Sequence, residues 1–303
     1  MSASARFIAE KPELVRQLTQ ELATLRQAQT LTKQLAKGNY ENFLVGSVLL
    51  PKRLRQPFFD VYAFCRIADD LADESESPTA ASESLIRFRE QLHAAFAHSP
   101  TSNVFLALDA TIRRFKLPQQ PFDDLLDAFE QDQHKVRYAN FAELNEYCLR
   151  SAAPVGRIVL KLAECSKPKT RKLSDHICVA LQLANFWQDV ARDYAMGRIY
   201  LPQDHWDSYG VCEAMFCKSS TEEPLRRLIA SECDRAQALF EMGLPLADHV
   251  PKWLAPDIKL FAHGGIQTLA AIRRIDYDVL ARRPTVGKWT QLGLLSKAFL
   301  RRL

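Results

Sequence analysis

Apolar residues recur at intervals of three and four along most of this chain, the period of helices that bury one face. Leu14, Leu18, Leu22 and Leu25 trace such a stripe and predict a first amphipathic helix that ends near Gly38. Pro51 suits the opening of a second helix, running to Glu74. The same period predicts further helices over about 82–97, 102–115, 119–133, 141–152, 155–165, 170–194, 221–241, 256–282 and 288–302. Gly197 and Pro202 fit the end of the 170–194 helix, and the acidic, serine-containing ESESPTAASES after Glu74 reads as a long interhelical loop.

Composition supports an all-α fold. Only 10 of the 303 residues are Gly, and long stretches combine Leu, Ala, Gln, Glu and Arg, which form helices more readily than strands. No Gly/Ser/Pro-rich linker divides the chain, so residues 1–303 are expected to form a single domain. The net charge is +4 with the basic residues dispersed, and no basic stripe interleaved with aromatics offers a nucleic-acid groove. The seven cysteines contain no CxxC pair, and the seven histidines make no HExxH spacing that would suggest zinc. Together with a start that lacks the apolar core of a signal peptide, the cysteines suggest reduced thiols and a cytoplasmic location. No run is long and apolar enough to span a membrane.

Against this background two aspartate pairs stand out: Asp69 with Asp73 in YAFCRIADDLADE, and Asp189 with Asp193 in QLANFWQDVARDYAMGRIYLP. Residues four apart lie one above the other on a helix. Asn185 extends the second pair to three oxygen-bearing side chains in register. Acidic residues at this spacing are also common on solvated helix faces. Here, however, the first pair is interleaved with Ile67, Ala68, Leu71 and Ala72, and the second with Leu183, Ala184, Phe186, Trp187 and Val190. An apolar helix does not gather carboxylates without cations to neutralise them. Magnesium takes oxygen ligands and commonly joins protein carboxylates to substrate phosphates, so a diphosphate is the expected substrate. Arg66, Arg192 and Arg198 lie close by in sequence, and guanidinium is suited to grip diphosphate oxygens.

The two aspartate segments resemble the paired signatures of the squalene and phytoene synthases, in sequence and in separation. NYENFLVGSVLLPKRLR, FEQDQHKVRYANFAELNEYCLRSAAPVGR and YDVLARRPTVGKW match more loosely, so that the resemblance covers about residues 38–290. It implies the all-α isoprenoid synthase fold of trans-prenyltransferase type, a helical bundle around a central apolar cavity. Asp69, Asp73, Asn185, Asp189 and Asp193 would then hold Mg2+ directly or through water. Arg66, Gln182, Arg198 and Tyr200 match positions expected near the diphosphate or its metal shell. Asn42 and Phe43 fall in the upstream substrate segment, and Arg282, Arg283 and Lys288 in a C-terminal segment that closes over the diphosphate or forms surface salt bridges. Tyr62 and Tyr147 would line the cavity and steer a carbocation, or simply pack. Asp70 would point off the metal face into a salt bridge or solvent.

Departures from the family pattern bear on the substrate. Enzymes that condense two prenyl diphosphates usually carry a Ser-Lys-Ser-Phe-like segment where this chain has Tyr40-Glu41-Asn42-Phe43, and many carry Arg where it has Gln188. Both changes remove a cation, and Ser151-Ala152-Ala153-Pro154-Val155-Gly156 replaces the usual Val-Ala-Gly-x-Val-Gly. The combination resembles the hydroxysqualene synthase branch of bacterial hopanoid biosynthesis, which takes presqualene diphosphate and water. No dinucleotide fingerprint such as GxGxxG points to a hydride donor. Two other readings stay open: a condensing synthase making squalene, dehydrosqualene or phytoene, and a non-catalytic assembly factor of the same fold, which would be expected to lose the metal-binding aspartates. Upstream and downstream squalene-pathway enzymes are candidate partners. So apolar a substrate implies peripheral work at the cytoplasmic membrane face. LGLLSKAFLRRL, with Leu292, Leu295, Phe299 and Leu303 against Lys297, Arg301 and Arg302, is either the contact or an ordinary terminal helix.

Overall fold

The structure is a computed structural model that describes residues 3–38 and 50–287, with side chains from Lys11 onward. Every regular element among the described residues is a helix. In chain order they are α1 (Ala3–Gln20), α2 (Leu25–Gly38), α3 (Lys52–Asp73), α4 (Pro78–Phe96), α5 (Asn103–Phe115), α6 (Gln120–Gln131), α7 (Phe141–Ser151), α8 (Ala153–Leu162), α9 (Pro168–Gln188), α10 (Val190–Ala195), α11 (Gln203–Tyr209), α12 (Glu223–Gly243) and α13 (Ala255–Arg274), with short 3-10 turns at Glu213–Cys217 and Leu244–Asp248. Of the described residues, those up to 134 with 161–164 form one compact unit, and 135–160 with 165–287 another.

Three expectations are corrected. The stripe from Leu14 does not run unbroken to Gly38, because α1 stops at Gln20 and α2 starts at Leu25. Asn103 holds the break: its side chain accepts from Ala23 N–H at 2.8 Å and donates to the Gln17 carbonyl at 2.9 Å. The supposed long loop shrinks to a four-residue linker, 74–77, since α4 begins at Pro78. Ser77 caps it by accepting from Ala80 N–H, and Pro78 supplies a first-turn residue that needs no donor. The predicted helix over 170–194 is broken at Asp189, which leaves the helical conformation at φ −106°, ψ 16°. The predicted 288–302 helix lies outside the described residues.

In the first unit α3 is the central helix, in contact with α2, α4, α5 and α6. Phe64 meets Phe88, Phe105 and Phe122 at ring-centroid distances of 5.4, 6.2 and 5.2 Å, so one residue of α3 joins three neighbouring helices. A buried polar cluster lies on the same helix. Asp60 accepts hydrogen bonds from Thr32 of α2, from Gln56 and from Thr111 of α5, each at 2.8 Å. Burial outweighs those bonds and pushes the Asp60 carboxyl up to about 6 from 3.8. A raised folded-state value means that the stability Asp60 contributes is complete below about pH 3.8 and is lost as the pH rises through about 6. Relative to Asp60→Asn, the wild type is therefore expected to lose roughly 2 kcal/mol between pH 4 and pH 7. Paired denaturant titrations across that range measure it, and a pH-independent difference would contradict it.

In the second unit α9 packs against α7, α12 and α13. Gly156 of α8 permits a close approach to α9, because a Cβ there would collide with the Ser174 hydroxyl and lie 2.7 Å from Cys178 Sγ. One residue on, Arg157 grips Asp175 of α9 through two bonds of 3.0 and 2.9 Å. Past α10, Gly197 takes φ +79° and ends the helix, the stop expected from the sequence.

Candidate diphosphate and metal site

The first aspartate pair sits on the last turns of α3. Tyr62, Arg66, Asp69 and Asp73 follow one another at spacings of four, three and four and so share a face. The opposite face, with Phe64, Ile67 and Ala68, is wholly buried in the core. Asp69 is partly exposed and receives a hydrogen bond from Arg66 Nη1 at 3.2 Å, while Asp73 is exposed. Burial, and then the Asp73 carboxylate nearby, push the Asp69 carboxyl up to about 6. Burial likewise raises the Tyr62 phenol. Asp70 departs from this face as expected: it is buried and paired with both Arg66 and Lys11, the latter at 3.1 Å.

The second set belongs to the other unit. Gln182 lies on α9 and is partly buried, whereas Asn185 is exposed. Although Asp189 breaks the helix, its N–H still donates to the Asn185 carbonyl at 2.9 Å, and Asp193 N–H donates to the Asp189 carbonyl at 2.8 Å. The four-residue spacing of the three side chains therefore survives the break. Burial, followed by the Asp189 carboxylate, pushes Asp193 up to about 7, against the opposing pull of Arg198, Arg192 and Arg283.

Arg283 reaches back onto Asp189. Its Nε pairs with one carboxylate oxygen, and its Nη2 donates to the other at 3.0 Å. The same Nη2 meets Gln188 Oε1 at 3.3 Å, and Gln188 Nε2 donates to the Pro284 carbonyl at 2.7 Å. The sequence singles out Gln188 only as a missing cation, and nothing local reveals its partners 95 and 96 residues away. Tyr147 and Tyr200 come together in a buried aromatic cluster with Tyr138 and Phe186. Phe186 stacks on Tyr200 with centroids 3.7 Å apart, and Tyr147 lies 6.1 Å from Tyr200. Tyr138 and Phe186 lie within the segments quoted from the sequence, but neither is singled out there as a site residue. Asn42, Phe43 and Lys288 lie outside the described residues.

Carboxylates pushed up by burial and by a like-charged neighbour mark places short of positive charge. A divalent ion with a preference for oxygen would supply it, and the donors in both sets are oxygens. Among the described residues, no group of three or more His, Cys, Asp or Glu side chains is gathered to hold a metal by itself. Water and phosphate oxygens would have to complete the shell, which is the habit of magnesium rather than of zinc.

The all-helical fold is that of the isoprenoid synthases. The chain belongs to the squalene/phytoene synthase family, which it matches over residues 36–290. It is 32% identical to a phytoene synthase of Arthrospira platensis over 296 residues, covering 92% of this chain and 94% of the relative. It is similar in structure to the squalene synthase HpnC from Alicyclobacillus acidocaldarius, with a TM-score of 0.80 and 43% identity over 84% of this chain and 96% of the other. A dehydrosqualene synthase in complex with a ligand gives the same TM-score at 25% identity, covering 92% and 98% of the two chains.

Proposed function

We propose that the chain, acting as one catalytic domain, converts presqualene diphosphate to hydroxysqualene with magnesium. The observation that carries this reading is the placement of Gln188. A cation at that position would favour a second diphosphate. The neutral amide is instead occupied with Arg283 and Pro284, and so adds no charge with which to hold one. The likeness to HpnC at 43% identity supports the same branch.

Both aspartate pairs serve one step, the departure of diphosphate. Asp69, Asp73, Asn185, Asp189 and Asp193 would hold magnesium, which would supply charge neutralisation for the leaving group. Arg66, Arg198 and Arg283 add guanidinium donors for diphosphate oxygens, with Gln182 beside them. The carbon–oxygen bond breaks with its electron pair going to diphosphate. The cyclopropylcarbinyl cation that remains rearranges against aromatic faces, for which Tyr62, Tyr147 and Tyr200 are the candidates. Water then adds to it and loses a proton, giving the alcohol. No described helix is long and apolar enough to cross a membrane. Access to so apolar a substrate is therefore proposed to be peripheral, at the cytoplasmic face.

The phytoene synthase relatives favour a second reading, condensation of two prenyl diphosphates. One assay separates the two. Incubation with presqualene diphosphate and magnesium in oxygen-18 water is expected to place the label in hydroxysqualene. Efficient formation of presqualene diphosphate, squalene or phytoene from simple prenyl diphosphates would establish the condensing reading instead. So would squalene that appears only with reduced nicotinamide.

A further inference from the structure

The end of α9 is tied to a segment almost a hundred residues further along the chain. Gln188 is joined to the 283–284 segment by two hydrogen bonds of opposite sense, donating to the Pro284 carbonyl at 2.7 Å and accepting from Arg283 at 3.3 Å. A side-chain amide supplies both from one end. Arginine or lysine at 188 could donate to Pro284 but could not accept from Arg283, and its charge would repel the guanidinium. Pro284 is buried, so the tether fixes the backbone from which Arg283 extends. Arg283 itself is 53% exposed, whereas the Asp189 side chain that it covers is 17% exposed. A long, exposed side chain held at one carboxylate has lost rotamer freedom, and that cost is smaller when its backbone is already anchored.

We propose that Gln188 is a positioning residue: it anchors Arg283 over Asp189, so that the guanidinium neutralises this carboxylate before metal arrives and stands ready for diphosphate oxygens once metal has taken it. The proposal rests on the diphosphate reading of the site and extends it to the order of events there. Arg283 and the metal compete for the same Asp189 oxygens, so magnesium alone binds against the ion pair. Magnesium with diphosphate gives the displaced guanidinium a new partner. The neutral residue at 188 is in this view a gain of control over Arg283.

The test is calorimetric titration of the purified protein, first with magnesium alone and then with inorganic pyrophosphate in excess magnesium. Gln188→Met keeps the side-chain length and removes both hydrogen bonds, and its thermal unfolding is recorded alongside to confirm the fold. It is expected to weaken pyrophosphate binding about five- to tenfold. Arg283→Ala should weaken it further, and the double variant should match Arg283→Ala alone, because the tether acts only through the arginine. Magnesium alone should bind more tightly to both single variants than to the wild type. Unchanged pyrophosphate affinity in Gln188→Met, or losses that multiply in the double variant, would overturn the proposal. Failure of the wild type to bind pyrophosphate with magnesium would overturn the diphosphate reading itself, and this proposal with it.

Discussion

Replacing Asp193 with asparagine is expected to lower turnover by roughly 10²- to 10³-fold while leaving the helical circular dichroism unchanged. The substitution preserves volume and hydrogen-bonding atoms and removes only the charge. Asp193 holds that charge against burial and against Asp189, an arrangement that a cation would relieve. Asp69→Asn, Asp73→Asn and Asp189→Asn should behave alike, and a chelator should reproduce the loss in the wild type. Asp70→Asn is the contrasting case. Its carboxylate is bound to Lys11 and Arg66, so its loss should fall mainly on stability. Steady-state assays of the five variants, normalised to folded protein, provide the measurement. Full turnover by Asp193→Asn and Asp189→Asn, or by the wild type in excess chelator, would remove these carboxylates from the reaction.

Phe64→Ala should cost about 3–5 kcal/mol of folding stability. The ring is wholly buried and touches aromatic rings from α4, α5 and α6, so its removal leaves a cavity that no single helix can close. Denaturant titration should show a lower midpoint at an unchanged slope. A loss below ~1 kcal/mol would mean that the surrounding rings collapse into the space.

How legible these features were in the sequence depends on how far the deciding contact lies along the chain. The aspartate register is written in the helical period and survives even the break at Asp189, because the backbone bonds on either side of it keep their spacing. The off-face position of Asp70 follows from the same geometry, since neighbours on a helix point about 100° apart. The start of α2 had a local sign that the leucine stripe obscured. Thr24 and Gln27 form a reciprocal cap, with Thr24 N–H donating to Gln27 Oε1 at 3.1 Å. What ends α1, by contrast, is Asn103, some 80 residues away. The partners of Gln188 are equally remote, and no Gly or Pro within NFWQDVARD announces the break at Asp189. Hydrophobic patterning sets the faces of helices, but the polar contacts between distant segments that trim their ends leave no periodic trace.

Lys11 gives α1 a part in deciding which of two adjacent carboxylates is on offer. Asp69 and Asp70 are chemically identical neighbours, and either could attract a divalent ion. With Lys11 on Asp70 and Glu74, and Arg66 divided between Asp69 and Asp70, the second carboxylate is held by two cations and the first shares one. The N-terminal helix thus acts as a selectivity element for a site some 60 residues further along the chain. In a form of the protein lacking α1, Asp70 would keep only Arg66 and would compete with Asp69 for that guanidinium.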